Sequence, residues 1–137
     1  MTRLIRSVVP FQLRAFALVV LALAVAGCAS NPIAIAETPA QKAYAIERVY
    51  NIVLEQALEA SRNNATIRVK VQAVEPRTTA IVDALSDAFV DYELARAALD
   101  TGGDGAAARL ATVASNLERW IMQAEEALLE LSAAFAD

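Results

Sequence analysis

The sequence has no histidine and only one cysteine among 137 residues. Without histidine, the common Ser-His and Cys-His catalytic pairs cannot be built, and the usual zinc and haem ligand sets are missing. A lone cysteine cannot close an intramolecular disulfide. Glycine and proline number four each and aromatic residues make up 6%, too little turn and aromatic material for a strand-rich fold. Hydrophobic residues reach 57%, and alanine and leucine, both strong helix formers, dominate them. The length suits one domain at most, and the expected class is all-α.

Charge is divided unevenly along the chain. Arg3, Arg6 and Arg14 open the sequence without an acidic neighbour. An unbroken apolar run follows from Ala15 to Ala26. A permanent membrane helix needs roughly 20 such residues, so the run is too short for one. A basic start, a short apolar stretch and small residues at its end describe a secretory signal.

The run closes on Val25-Ala26-Gly27-Cys28. This stretch resembles the lipobox of bacterial lipoprotein precursors, in which an aliphatic residue and two small ones precede a cysteine. The small residues suit a narrow protease site, and the thiol is the nucleophile that accepts diacylglycerol. The resemblance implies cleavage after Gly27, lipidation of Cys28 and a membrane held through two or three acyl chains. Each buried CH₂ contributes roughly 0.8 kcal/mol, so two chains anchor stably where one does not. Ala29 and Ser30 follow the cysteine. In the family, aspartate at that place favours inner-membrane retention, so its absence implies the outer membrane, facing the periplasm.

Removal of residues 1–27 leaves nine basic residues against 16 acidic ones, a formal charge of about −7. No basic patch for nucleic acid survives. Residues 28–37 are expected to form the lipidated cysteine and a short tether. Asn31-Pro32 disfavours helix, because the residue before proline is pushed to extended backbone. Ala29 to Glu37, fully extended, reach at most about 30 Å, and Ile33 and Ile35 could touch the lipid interface.

Residues 38–137 predict an antiparallel three-helix bundle, up-down-up. The first helix starts at Thr38, a good N-cap. Pro39 occupies the first helical position and Gln41 completes a capping box. Ala43, Ile46, Tyr50, Val53 and Ala57 form its apolar stripe, widened by Val49, Ile52, Leu54 and Leu58, and it should end near Arg62. The second helix carries a heptad seam of Ile67, Val71, Val74, Thr78, Ile81, Leu85, Ala88, Tyr92, Ala95 and Leu99. Pro76 lies within it, yet the seam keeps its phase, which predicts one helix bent at Pro76 with the proline off the buried side. The competing reading is a break, with a new helix from Thr78 or Thr79. Thr101-Gly102-Gly103-Asp104-Gly105 should end that helix and turn the chain. The third helix, from about Ala106 to Ala134, has the seam Leu110, Ala114, Leu117, Ile121, Ala124, Leu128, Leu131 and Phe135. Tyr50 and Tyr92 fall on their seams and are expected in the core.

Chemistry-bearing clusters are few. Asp83, Asp87 and Asp91 share one face of the second helix and could meet a cation or a basic partner. Carboxylates on one helix face diverge, whereas calcium wants six to eight converging oxygens, so the plain reading is a solvated acidic face and no metal is expected. Glu55 and Glu59, and Glu125, Glu126 and Glu130, read the same way. The glycine-rich turn has neither the lysine nor the preceding strand of a phosphate loop. Trp120, flanked by Glu118 and Arg119, is expected half exposed, either at the edge of the bundle or as an interface anchor.

No cofactor is expected. The murein lipoprotein also carries helical heptads, but it ends in a wall-linking lysine where this sequence reads Phe135-Ala136-Asp137, so covalent wall attachment is not expected. Thr38-Pro39-Ala40-Gln41-Lys42-Ala43-Tyr44 and Leu117-Glu118-Arg119-Trp120 resemble small uncharacterised helical lipoproteins of bacteria and prophages, a likeness that implies no activity. The expected function is a non-enzymatic interaction or structural role at the periplasmic face of a membrane, with an envelope protein as partner. The alternative is a small helical module that binds a lipid or other apolar ligand, motivated by the broad stripe of the first helix. Regular seams also leave self-association open.

Overall fold

The computed structural model describes residues 31–136. The chain divides into two units, Met1–Ile35 and Ala36–Asp137. Of the first unit, residues 31–35 are described, and they form a turn. Asn31 accepts from the Ile33 N–H through Oδ1 (3.1 Å), and its carbonyl accepts from Ala34 (2.8 Å) and Ile35 (3.2 Å). The segment is a tight turn. Asn31 itself stays outside it, as proline requires of its predecessor, but Asn then acts as a cap and Pro32 takes the first position of the turn, where its missing N–H costs nothing.

The second unit consists of α1 (Pro39–Asn63), α2 (Ala65–Asp100) and α3 (Ala106–Phe135), and it is an all-α three-helix bundle. Helix α1 begins as its sequence dictates. The Thr38 hydroxyl accepts from the Gln41 N–H (3.2 Å), and the Gln41 side-chain oxygen accepts from the Thr38 (3.2 Å) and Glu37 (2.9 Å) N–H groups. This reciprocal pairing is worth about 1 kcal/mol.

A single residue, Asn64, joins α1 to α2. Its backbone is extended (φ −138°, ψ 113°), and its side chain accepts from the Thr66 and Ile67 N–H groups. The carbonyls left open at the end of α1 are met from the next helix. The Arg68 guanidinium donates to Ser61 O (3.0 Å) and Arg62 O (3.2 Å). Tyr50 and Thr79 lie about equally far from Asn64 along the chain, and their hydroxyls meet at 2.8 Å, so the two helices run antiparallel. Thr78 and Ala127 (3.4 Å) and the Arg77–Glu130 ion pair (3.3 Å) set α3 antiparallel to α2. That exposed ion pair contributes no more than about 1 kcal/mol.

Helix α2 passes Pro76 without a break, which removes the reading of a new helix at Thr78 or Thr79. Pro76 is exposed, as the phase of the seam predicts. The carbonyl its missing N–H would have met belongs to Gln72, also exposed, so water can satisfy it. On the inner side the hydroxyls of Thr78 and Thr79 donate to the Val74 (3.2 Å) and Glu75 (3.0 Å) carbonyls. Back-bonding of this kind accompanies helix bending, and it lets Thr78 lie fully buried with its hydroxyl satisfied.

The core follows the expected seams through most of the bundle. Ile46, Leu85, Leu117 and Leu131 are its largest fully buried apolar side chains. Several seam residues, among them Ile67, Val74, Ile81, Leu110 and Phe135, are only half-buried, and the far end of α2 departs further from expectation. Tyr92 is only half-buried and Leu99 is 40% exposed, because both lie in the part of α2 that runs past α1. Ile52 and Leu58, which seemed to widen the stripe of α1, are about half exposed on its flanks.

Leu117→Ala should lower the unfolding free energy by about 2–5 kcal/mol, the range for leucine deletions in closed cores, whereas Leu129→Ala, at a site 72% exposed, should change it by less than about 0.5 kcal/mol. Urea titrations followed by circular dichroism measure both. Pro76→Ala restores a helix-interior N–H toward Gln72 and removes a residue that costs about 3 kcal/mol in an unbent helix. A higher midpoint is expected in the same titration, by an amount below that figure because the exposed Gln72 carbonyl is already open to water.

Candidate interaction surface

Helix α1 has 25 residues and α2 has 36. Both start from Asn64 and run side by side, so α2 continues for 11 residues, about 16 Å at roughly 1.5 Å per residue, past the first turn of α1. Helix α3 returns along it. The result is a two-helix tip without a third helix over it. Burial thins accordingly: beyond Ala88 only Ala95 of α2 is buried, and on α3 nothing is buried between Ala106 and Leu117. Val90 and Leu94 are more than half exposed there.

The turn at the end of the tip is built by its glycines. The Gly103 N–H donates to Ala98 O (3.3 Å) and the Gly102 N–H to Leu99 O (3.0 Å), the paired bonds that close a helix on a left-handed residue. Gly102 supplies that residue at φ +73°, and Gly105 takes φ +72° at the start of α3. The Thr101, Gly102 and Gly103 N–H groups are spent on the end of α2.

Asp83, Asp87 and Asp91 lie on the exposed side of α2, an acidic row open to water. Among the described residues, no group of three or more cysteine, histidine or acidic side chains is placed to hold a metal ion. Trp120 is half-buried, and the Arg119 guanidinium sits 5.7 Å from its ring centroid. Such a contact contributes about 0.5–1 kcal/mol at an exposed site and covers part of the ring.

Cys28 and its preceding Val25, Ala26 and Gly27 lie outside the described residues. Among the described residues no helix is long and apolar enough to cross a membrane. Arg68 is a structurally important residue that sequence reasoning passed over. Its signal is a basic side chain four residues after an asparagine cap, within reach of the preceding helix end. No family model, no curated protein and no solved structure matches the chain.

The tip should open more readily than the body of the bundle, because local stability follows buried contact. Native-state hydrogen exchange should show amides of residues 92–113 losing protection before those of residues 78–89 and 117–131. Gly102→Ala forces a side chain into the left-handed region and should cost about 1–2 kcal/mol, read as a lower denaturation midpoint.

Proposed function

We propose that the chain is a lipid-anchored envelope protein, held through Cys28 at the periplasmic face of the outer membrane, whose helical bundle plays a non-enzymatic interaction or structural role. The observation that carries this reading is the sequence Val25-Ala26-Gly27-Cys28 placed directly after the apolar run from Ala15. Supporting it, the sequence has no histidine to activate a serine or cysteine. The bundle also offers exposed side chains at its tip and along α2, which suits presentation of a surface to an envelope partner.

The reading as an apolar-ligand module draws no support from the centre of the bundle, which Ile46, Leu85, Leu117 and Leu131 fill. The broad stripe that motivated it splits into a buried face and the two exposed flanking residues, Ile52 and Leu58.

Metabolic labelling with palmitate tests the anchor. The wild-type chain should incorporate label and pellet with membranes, and Cys28→Ser should do neither. Equal incorporation by the two would sink the proposal. Crosslinking in cells tests the role of the bundle: a defined partner should be trapped by the intact chain and lost when residues 38–137 are deleted.

A further inference from the structure

We infer that the α2–α3 tip is the end of the bundle that faces the lipid bilayer, and that the Asn64 turn is the end presented away from it. The inference rests on the lipid anchor at Cys28 and deepens it by giving the anchored domain an orientation. Its basis is the unequal length of the helices and the length of the chain between the anchor and α1.

The chain enters the bundle at Pro39, the start of α1. That start lies at the same end as the α2–α3 turn, because α1 and α2 run antiparallel from Asn64 and α2 is the longer by 11 residues. Ten residues separate Cys28 from Pro39. Fully extended, the eleven steps from Cys28 to Pro39 span at most about 40 Å, and the turn that bonds Ala34 and Ile35 back to Asn31 shortens this by roughly 7 Å. The 25 residues of α1 carry the chain about 38 Å from Pro39 to the Asn64 turn. For the bundle to stand inverted, with Asn64 on the bilayer, Pro39 would have to sit farther from the surface than the chain before it can reach. Standing with the tip toward the bilayer needs no such extension, since the tip projects about 16 Å past Pro39.

Charge disfavours the remaining arrangement, in which the bundle lies flat. The chain from Cys28 onward carries 16 acidic residues against nine basic ones, and Asp83, Asp87 and Asp91 line the open face of α2. A bilayer with anionic lipid repels such a surface within about a Debye length. An upright bundle brings only its tip into that layer. The partner surface chemistry is therefore a phospholipid headgroup layer that the tip abuts without inserting. The loop at its end, Thr101 to Gly105, offers no large apolar side chain for insertion.

The test uses the full lipidated chain reconstituted into phosphatidylethanolamine–phosphatidylglycerol vesicles that carry a headgroup-attached acceptor dye. A donor dye is placed on Asp104→Cys at the tip turn or on Asn63→Cys beside the distal turn; both sites are exposed, and the thiol of Cys28 is consumed by its lipid. Ala107→Cys serves as a second tip position, and circular dichroism checks that each variant keeps its helix content. Energy transfer should be several-fold stronger from Asp104→Cys and Ala107→Cys than from Asn63→Cys. Equal transfer from both ends, or stronger transfer from Asn63→Cys, in protein that floats with the vesicles overturns the orientation and leaves the anchor standing. Protein that does not float with the vesicles overturns the anchor and the orientation together.

Discussion

A helix that reverses direction leaves four N–H groups and four carbonyls without partners on the two sides of the turn. At Asn64 this happens within one residue, and side chains meet several of them. The asparagine serves the first N–H groups of α2 and Arg68 reaches back to the last carbonyls of α1. Everything else in the bundle is measured from this point. Because the turn has no slack, the register of α1 on α2 is set there, and the Tyr50 and Thr79 hydroxyls meet as a consequence. The Thr79 hydroxyl in turn is held by the Glu75 carboxylate at 2.8 Å, so a small polar group ties α1 to α2 beside the fully buried Thr78. Buried polar contacts of this kind contribute modestly to stability, about 0.5–1.5 kcal/mol each, and their geometry favours one register over its neighbours.

With one end fixed, helix length decides the rest. Where three helices overlap, most seam positions are buried. Where α2 and α3 continue alone, the same seam pattern yields half-buried Tyr92, Leu110 and Ala114 and exposed Leu99. The molecule therefore has a firm body and a less covered tip, a difference in local stability that arises from geometry and not from any change in residue type. Alanine is common along both, and small side chains let the two helices of the tip close on each other at Ala95 and Ala106.

Much of this was legible before any coordinates. Thr38-Pro39 with Gln41 announces a helix start through local hydrogen bonding that needs no tertiary partner, and the capping box is there. The phase of the seam across Pro76 announces one continuous helix, because a break would have shifted the apolar positions, and α2 is continuous. The exposed aspartate row was legible from its spacing. Asn31-Pro32 told only that helix is disfavoured there; the turn itself is visible in the hydrogen bonds of Ile33, Ala34 and Ile35. Leu99 misled: a seam marks what a helix is able to bury, and whether it does depends on a neighbour being there. Arg68 left only a weak signal, its place four residues after Asn64, because its partners are backbone carbonyls, which any residue supplies.

The sequence alone determined the class, the number of helices, their boundaries within a few residues and the continuity of α2, since these follow from local propensity, capping and periodicity. It also carries Val25-Ala26-Gly27-Cys28, on which the proposed lipid anchor rests. Tertiary structure decided how far α1 covers the hairpin, and thus which seam residues are core and which are surface. That depends on where a one-residue turn starts two helices of unequal length, a relation between distant segments that no local pattern encodes. The same relation puts the entry of the chain and the α2–α3 turn at one end of the bundle.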